Sequence, residues 1–262
     1  MKKHIFSISM LLAFATVVIA QNSERKVAIV SIYSDKYIGS GDFGAGIQQA
    51  LSLLSGDSLF NLKPISEKFK DKFINDYAEQ LPFTILDEKL VIENEEYKNY
   101  QDFNADVDSY KDTDKSGVKN FVLDHMKVEV PQGYKYIPNV LGKGKKNKAI
   151  NDMKTIFADN ADAVASAWLS FELEKKIQMA GFGIGFVKTY LWFRVYDRLT
   201  DKVIFKFKEA AKSKKTFKFA LGGAALQASK IQPLCEEAVE RLYVDLDKEL
   251  PRRIKQYLKK TK

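Results

Sequence analysis

Few side chains in this sequence belong to the types that most often act as nucleophiles, general bases or metal ligands. Its 262 residues include one cysteine, Cys235, and two histidines, His4 and His125. Cys235 stands among leucines with two glutamates beside it, whereas a reactive thiol needs an exposed electropositive setting, so we expect it to be buried. Most metal and acid–base chemistries lack their usual groups here. The sequence therefore predicts a protein that is not an enzyme and needs no cofactor or metal.

An acidic segment matches the first half of a calcium-binding loop. Asp112, Asp114 and Ser116 supply oxygens at alternate positions, and Gly117 allows the sharp bend that follows. The twelfth position of such a loop is a bidentate glutamate, but here it is Leu123. We interpret the segment as an acidic turn, with weak calcium binding as the open alternative.

A four-residue match to a known hydrolase signature contains a candidate nucleophile. Residues 56–59 read Gly-Asp-Ser-Leu, in which Ser58 would attack an ester. Such a serine needs a histidine base oriented by a carboxylate, which this kind of esterase supplies as Asp-x-x-His near its C-terminus. His125 lies in mid-chain, and Val122 rather than Asp stands three residues before it. We therefore expect a turn that ends a helix.

Two glycine-rich stretches could in principle hold a phosphate. Residues 39–44 follow a strand signal and precede a helix signal, as a dinucleotide fingerprint requires. However, residues 34–38 separate the predicted strand from the first glycine, and no acidic residue follows at the usual distance, so we expect a connecting loop. Residues 181–185 are apolar, and we expect a glycine-permitted hairpin or a close packing contact there.

The N-terminus has the pattern of a secretory signal peptide. Lys2 and Lys3 precede an apolar run over 5–19, and a small residue, Ala20, stands before a polar segment. No cysteine follows the apolar run, so the lipid-attached form of this signal is absent. We expect cleavage near Ala20 and a periplasmic or otherwise extracytoplasmic protein.

Strand and helix signals alternate from residue 21 to 262 without an internal repeat, which predicts one α/β (α+β) domain. We expect a mixed sheet with a C-terminal antiparallel hairpin, packed by amphipathic helices. Residues 93–148, rich in charged and polar side chains, are interpreted as an insertion or mobile excursion. The last helix, with apolar residues at helical spacing over 231–250, is expected to break or kink at Pro251. The predicted strands are 26–33, 83–86, 169–173, 190–196 and 203–208, with strand-like runs at 121–123 and 127–130. The predicted helices are 47–54, 64–77, 150–157 and 231–250.

Two sets of residues could form a partner surface. Tyr190, Trp192, Arg194 and Tyr196 alternate with apolar residues on one strand, and exposed aromatic and arginine side chains are typical of binding surfaces. If a helix covers that side of the sheet, they are core residues instead. The second set lies in the basic C-terminal end and consists of Arg252, Arg253 and Lys255. With a net charge of +8, attraction to anionic envelope polymers or a membrane surface is an option, whereas export makes nucleic acid an unsuitable partner.

The order of these elements resembles the curli-export lipoprotein (CsgG-like) family. The resemblance covers residues 26–33, 64–92 and 159–250, and includes Phe-Thr-Ile-Leu-Asp at 83–87 and Leu-Trp-Phe-Arg-Val-Tyr-Asp at 191–197. The N-terminal domain of TolB and the lipoprotein activators of penicillin-binding proteins look similar. The chain lacks the family's lipid-bearing cysteine and a convincing pair of membrane-inserting hairpins.

This resemblance implies a non-catalytic cell-envelope protein that binds envelope proteins or assembles with itself into a homo-oligomer. Two alternatives stay open at this point. One is a periplasmic hydrolase of unidentified substrate. The other is a membrane-associated assembly or export component in which residues 179–187 contact lipid or a neighbouring subunit.

Overall fold

The computed structural model describes residues 25–43, 47–100, 128–137, 148–179, 182–200, 202–220 and 226–260. It is a mixed α/β fold built on one curled sheet. The strands are β1 (Lys26–Gly39), β2 (Thr84–Ile85), β3 (Val128–Glu129), β4 (Ala163–Met179), β5 (Phe182–Asp197), β6 (Val203–Lys212) and β7 (Phe217–Ala220). The helices are α1 (Gln48–Gly56), α2 (Lys63–Lys72), α3 (Glu88–Ile92), α4 (Glu95–Asn99), α5 (Lys148–Ile156) and α6 (Ala228–Lys260).

Five strands run in the order β2-β1-β4-β5-β6. β1 is parallel to β2 and β4, whereas β4, β5 and β6 form an antiparallel meander. β3 pairs with the end of β1, and β7 pairs with the beginning of β5. The predicted mixed sheet and C-terminal antiparallel hairpin are therefore confirmed.

One face of the sheet carries the main hydrophobic core. α1, α2 and α6 pack there, because each presents apolar residues at helical spacing to the strands. Phe193 of β5 illustrates the packing, since its ring lies 5.3 Å from those of Phe73 and Phe207. α6 follows β5 and β6, and Tyr257 near its end contacts Phe205 at 5.1 Å between ring centres.

The opposite face is covered over only part of its length. A second apolar cluster joins α3, α4 and α5 to the first halves of β1 and β4, and includes Val30, Tyr97, Met153 and Val164. The Tyr97 hydroxyl donates to the Val30 carbonyl oxygen at 2.7 Å, which ties α4 to the sheet. Beyond this cluster the described residues place no helix over β4, β5 and β6.

Several elements differ in extent from the sequence expectation. β1 continues to Gly39, so residues 34–38 are strand rather than loop. α6 runs through Pro251 to Lys260, so the expected break does not occur there. Leu246 and Leu250 before the proline are buried, and Ile254 and Tyr257 after it pack against the same core. Parts of the expected excursion at 93–148 are packed: α4 supplies Tyr97, and residues 128–137 supply Tyr136.

Candidate functional site

A row of large side chains crosses the partly covered face of the sheet. Tyr33 of β1 is the cross-strand partner of Trp168 on β4, Trp168 is the partner of Trp192 on β5, and Trp192 is the partner of Lys208 on β6. Directly paired residues of neighbouring strands project to the same side. Four strands thus supply one continuous row across the sheet.

The rings in this row stack on one another. Trp168 lies 6.0 Å from Tyr33 and 5.8 Å from Trp192, and in both pairs the ring planes are 6° from parallel. Tyr136 meets Tyr33 edge-on at 4.9 Å. The Trp192 indole N–H donates to Ser170 Oγ at 3.2 Å, which fixes the ring orientation. The aromatic row is therefore held in place by contacts within the chain.

Cationic side chains lie against these rings. The Lys208 ammonium is 4.0 Å from the centre of the Trp192 ring and 4.1 Å from that of Tyr190. The Arg194 guanidinium is 5.5 Å from Trp168 and 6.0 Å from Trp192. Such contacts are attractive because the ring face carries negative electrostatic potential. They hold two positive charges at defined places on the sheet.

We call this surface the aromatic–cationic face. Its members are Tyr33, Trp168, Tyr190, Trp192, Arg194, Lys206 and Lys208. Tyr33 and Trp168 are buried, Tyr190, Trp192 and Arg194 are half-buried, and Lys206 and Lys208 are exposed. The face is thus accessible at its β5 and β6 side.

The charge on this face is predominantly positive. Beside it, Glu174 accepts a hydrogen bond from Lys212 at 2.8 Å and also lies 3.6 Å from Lys188. The hydrogen bond from Lys212 is the main reason that the pKa of Glu174 is lowered. By contrast, Lys206 and Lys208 form no ion pair with any residue in the described ranges. These two lysines are therefore placed to meet an anion.

The structure divides the residues that the sequence analysis grouped as a partner surface. Tyr190, Trp192 and Arg194 lie together on the aromatic–cationic face. Tyr196 lies further along β5, where it packs against the second apolar cluster beneath α5. Tyr196 therefore belongs to the edge of that cluster, and the other three residues lie outside it.

The basic end of α6 lies on the opposite, helix-covered side of the sheet. Arg253 donates from Nε to Glu209 at 3.1 Å, and Arg252 pairs with Glu249. Lys255 is exposed and lines a groove of about 450 Å³ together with Ile254 and Leu258. The basic residues therefore belong to a separate surface.

The motifs that could suggest an enzyme have structural roles in the described residues. Ser58 lies in the turn after α1, where the Asp57 carboxylate accepts a hydrogen bond from the Leu59 amide at 2.9 Å, as expected for a helix-ending turn. Burial raises the pKa of the Cys235 thiol, which is fully buried as expected. His125 and the Asp112–Gly117 segment lie outside the described residues.

In both glycine-rich stretches, residues 39–44 and 181–185, a glycine allows close packing of protein atoms. A Cβ on Gly41, which has a φ of 51°, would lie 2.0 Å from the carbonyl oxygen of Leu173. A Cβ on Gly183 would lie 2.3 Å from the Phe219 ring. Both sites are filled by protein atoms, which confirms the close-packing interpretation of residues 181–185. Within the described ranges, no group of three or more His, Cys, Asp or Glu side chains could hold a metal ion.

Sequence reasoning missed Tyr33, Trp168 and Lys208 as members of the aromatic–cationic face. Tyr33 and Trp168 stand in continuous apolar runs on β1 and β4, so the alternation that marks β5 is absent there. Lys208 alternates with Phe207 on β6 and could have been found from that pattern. The pairing of the strands, which the sequence does not reveal, is what brings the three together.

Comparison with solved structures finds distant likenesses. No protein-family model and no curated protein sequence matches the chain. A hypothetical protein from Chlamydia trachomatis aligns over 90% of this chain and 98% of its own, with 8% identity and a TM-score of 0.35. A candidate neuraminyllactose-binding hemagglutinin homolog from Helicobacter pylori aligns over 91% of each chain, with 11% identity and a TM-score of 0.36.

A lipoprotein from Neisseria meningitidis aligns over 84% of this chain and 99% of its own, with 8% identity and a TM-score of 0.26. At these identities and TM-scores, the likenesses are too distant to transfer a function. No helix in the described ranges combines the length and hydrophobicity that a membrane crossing needs.

Proposed function

We propose that the chain is an exported, non-catalytic protein of the cell envelope that binds another envelope protein, or assembles with it, through the aromatic–cationic face. The observation that carries this proposal is the half-exposed Trp192, which stacks on Trp168 and has the charges of Lys208 and Arg194 against its ring. Aromatic residues and arginine are enriched where proteins bind one another. Rigid aromatic rings bury large areas at little entropic cost.

Preorganisation supports a binding role for this surface. Trp192 is fixed by the stack on Trp168 and by its hydrogen bond to Ser170. Ordering a side chain on binding costs about 0.5–1.5 kcal/mol, and a ring that is already held avoids that cost. Exposed lysines at the border add attraction toward an acidic partner and speed association.

A photo-crosslinking residue at position 206 tests the proposal in intact cells. Lys206 is exposed on the aromatic–cationic face, and Lys248 is an exposed lysine on α6 that serves as the control. We expect a defined adduct with one envelope protein from position 206, none from position 248, and loss of the adduct when Trp192→Ala is added. Equal adducts from both positions, or adducts that survive Trp192→Ala, would contradict the proposal.

Export and the absence of catalysis need separate measurements. Fractionation followed by N-terminal sequencing should find a mature chain that begins near Gln21 outside the cytoplasm. His125→Ala should leave the position-206 adduct unchanged, because binding through a stacked surface needs no general base. If His125→Ala abolishes the protein's function in the cell but leaves the position-206 adduct intact, the hydrolase alternative is favoured instead.

An apolar hairpin tip favours the membrane-associated alternative as a second candidate. Ile177, Met179 and Phe182, at the ends of β4 and β5, are 52%, 74% and 70% exposed. Lys176, near the same tip, is exposed as well. Apolar tips with basic neighbours suit the surface of an anionic membrane. Flotation with anionic vesicles, compared between the native chain and Met179→Ser/Phe182→Ser, tests this candidate.

A further inference from the structure

The aromatic–cationic face ends at a sheet edge. β6 is the last strand in the order, and no strand in the described ranges pairs with its outer side. The outer side of an edge strand offers backbone N–H and C=O groups to any further strand. β6 spans Val203–Lys212, long enough to receive such a strand along most of its length.

The pairing of β5 with β6 determines which backbone groups point outward. The Ser213 amide donates to the Val187 carbonyl oxygen at 2.9 Å, so this pair is a hydrogen-bonded one. Hydrogen-bonded and non-hydrogen-bonded pairs alternate along an antiparallel ladder, and the register continues without a shift from Lys188↔Lys212 to Val195↔Phe205. Phe205, Phe207, Glu209 and Ala211 therefore bond to β5, whereas Lys206, Lys208, Ala210 and Lys212 direct their backbone groups to the outer edge.

The same outward-bonding residues carry the positive charge. Lys206, Lys208 and Lys212 all have their side chains on the side of the sheet that holds Trp192. A strand added to this edge would place every second side chain beside these lysines. Acidic residues at those positions would be attracted, while a second copy of β6 would bring lysine against lysine. The edge thus disfavours self-pairing and suits an acidic strand.

We propose that β6 receives, as an added strand, an extended segment of a partner protein that carries Asp or Glu at every second position. This inference rests on the proposed function and names the chemistry of the partner. Backbone hydrogen bonds to Lys206, Lys208 and Ala210 hold the segment, and the lysines select its acidic side. The alternate side chains of the segment face toward the side of the sheet where Arg253 and Glu209 form their ion pair.

Ala210→Pro is the variant that isolates strand addition from charge. The Ala210 N–H points outward, so proline removes an edge donor without removing a hydrogen bond to β5, and proline is tolerated on edge strands. The substitution changes no charge. Ala210→Val is the matched control, because it keeps the amide and favours the strand.

The probe is a fluorescent synthetic peptide of about eight residues in which Glu and Val alternate. A peptide of the same composition, with its glutamates in one block, controls for charge alone. We expect the alternating peptide to bind more tightly than the block peptide and to slow hydrogen exchange at the amides of Lys206, Lys208 and Ala210. Ala210→Pro should weaken binding by at least about tenfold, and Ala210→Val should leave it unchanged.

The outcomes separate this inference from the proposed function. Equal binding of both peptides, no exchange protection at these three amides, or full binding by Ala210→Pro would overturn strand addition. If the position-206 adduct is still lost with Trp192→Ala, the proposed function stands without strand addition. If peptide binding depends on Ala210 while the adduct does not depend on Trp192, the aromatic part of the proposed function fails. Exchange protection in the native chain decides the matter even if Ala210→Pro does not fold.

Discussion

The two sides of β5 show how differently one strand is used by its neighbours. Leu191, Phe193 and Val195 are fully buried on the side that α6 covers. Trp192 and Arg194, which alternate with them, remain half-buried on the aromatic–cationic face. The backbone is shared, so the two sides differ in their side chains and in their helix cover. The covered side holds the fold together, and the open side is the surface that we propose as a binding site.

The largest expected effect comes from removing a ring on the covered side. Phe193→Ala deletes a buried ring that contacts Phe73, Phe205 and Phe207. Large-to-small changes of this kind cost about 3–5 kcal/mol, because they lose transfer energy and leave a cavity. Urea unfolding followed by circular dichroism measures the free energy of unfolding directly.

Trp192→Ala is the matched change on the open side. We expect it to cost clearly less than Phe193→Ala, since one side of the indole already meets solvent and Lys208 rather than packed protein. If Trp192→Ala lowers the free energy of unfolding as much as Phe193→Ala does, then Trp192 is packed like a core residue and the two sides of β5 do not differ.

The sequence predicted the covered side better than the open one. The buried residues were identified from the apolar–polar alternation of β5 and β6 and from the helical spacing in α2 and α6. The periodicity of a single segment is enough to predict which of its sides is buried. The aromatic–cationic face depends on which strands are neighbours. Tyr33 and Lys208 come from distant parts of the chain and meet the tryptophans only through the pairing of β1, β4, β5 and β6.

The next effect concerns the carboxyl of Asp35, at the end of β1 where residues 128–137 pack against the aromatic row. Asp35 pairs with Val128, which packs against the Tyr33–Tyr136–Trp168 cluster. Burial raises the pKa of Asp35 from 3.8 to about 7. Between these values the folded protein keeps a proton that the unfolded chain has lost, so stability falls as the pH rises from about 4 to about 7.

Asp35→Asn should remove this pH dependence. The variant cannot ionise, so its free energy of unfolding should exceed that of the native chain by about 2–4 kcal/mol at pH 8 and by little at pH 4. Urea unfolding of both proteins across this range gives the difference, in which all other titrating groups cancel. A difference that does not change with pH would mean that this end of the face is open to water.

A smaller effect on stability is expected at the turn after Asp197, which joins β5 to β6. The Asp197 carboxylate accepts hydrogen bonds from the Leu199 amide and from the amide and hydroxyl of Thr200, and pairs with Arg25 at 3.1 Å. Asp197→Ala should cost about 2 kcal/mol in urea unfolding. Asp197→Asn, which keeps the size and one acceptor oxygen, is the control and should cost less.

The contribution of Asp197 to stability should also depend on pH. Partial burial opposes ionisation of Asp197, but the hydrogen bonds from Thr200 and the Arg25 charge hold its pKa below the ordinary value. Its contribution is therefore present above the unfolded pKa of 3.8 and is lost as the pH falls through the folded value. The native chain and Asp197→Ala should converge in stability at strongly acidic pH, and a constant difference would contradict this account.

The smallest effect tests whether the open side is preorganised. A double-mutant cycle with Lys208→Ala and Trp192→Ala measures the coupling between the ammonium and the indole, which lie 4.0 Å apart. Exposed cation–π pairs contribute about 0.5–1 kcal/mol, and we expect a coupling of that size in urea unfolding. Lys206→Ala with Trp192→Ala is the control pair and should show no coupling. If Lys208 is uncoupled too, its charge moves freely, and a partner must then order it at the moment of binding.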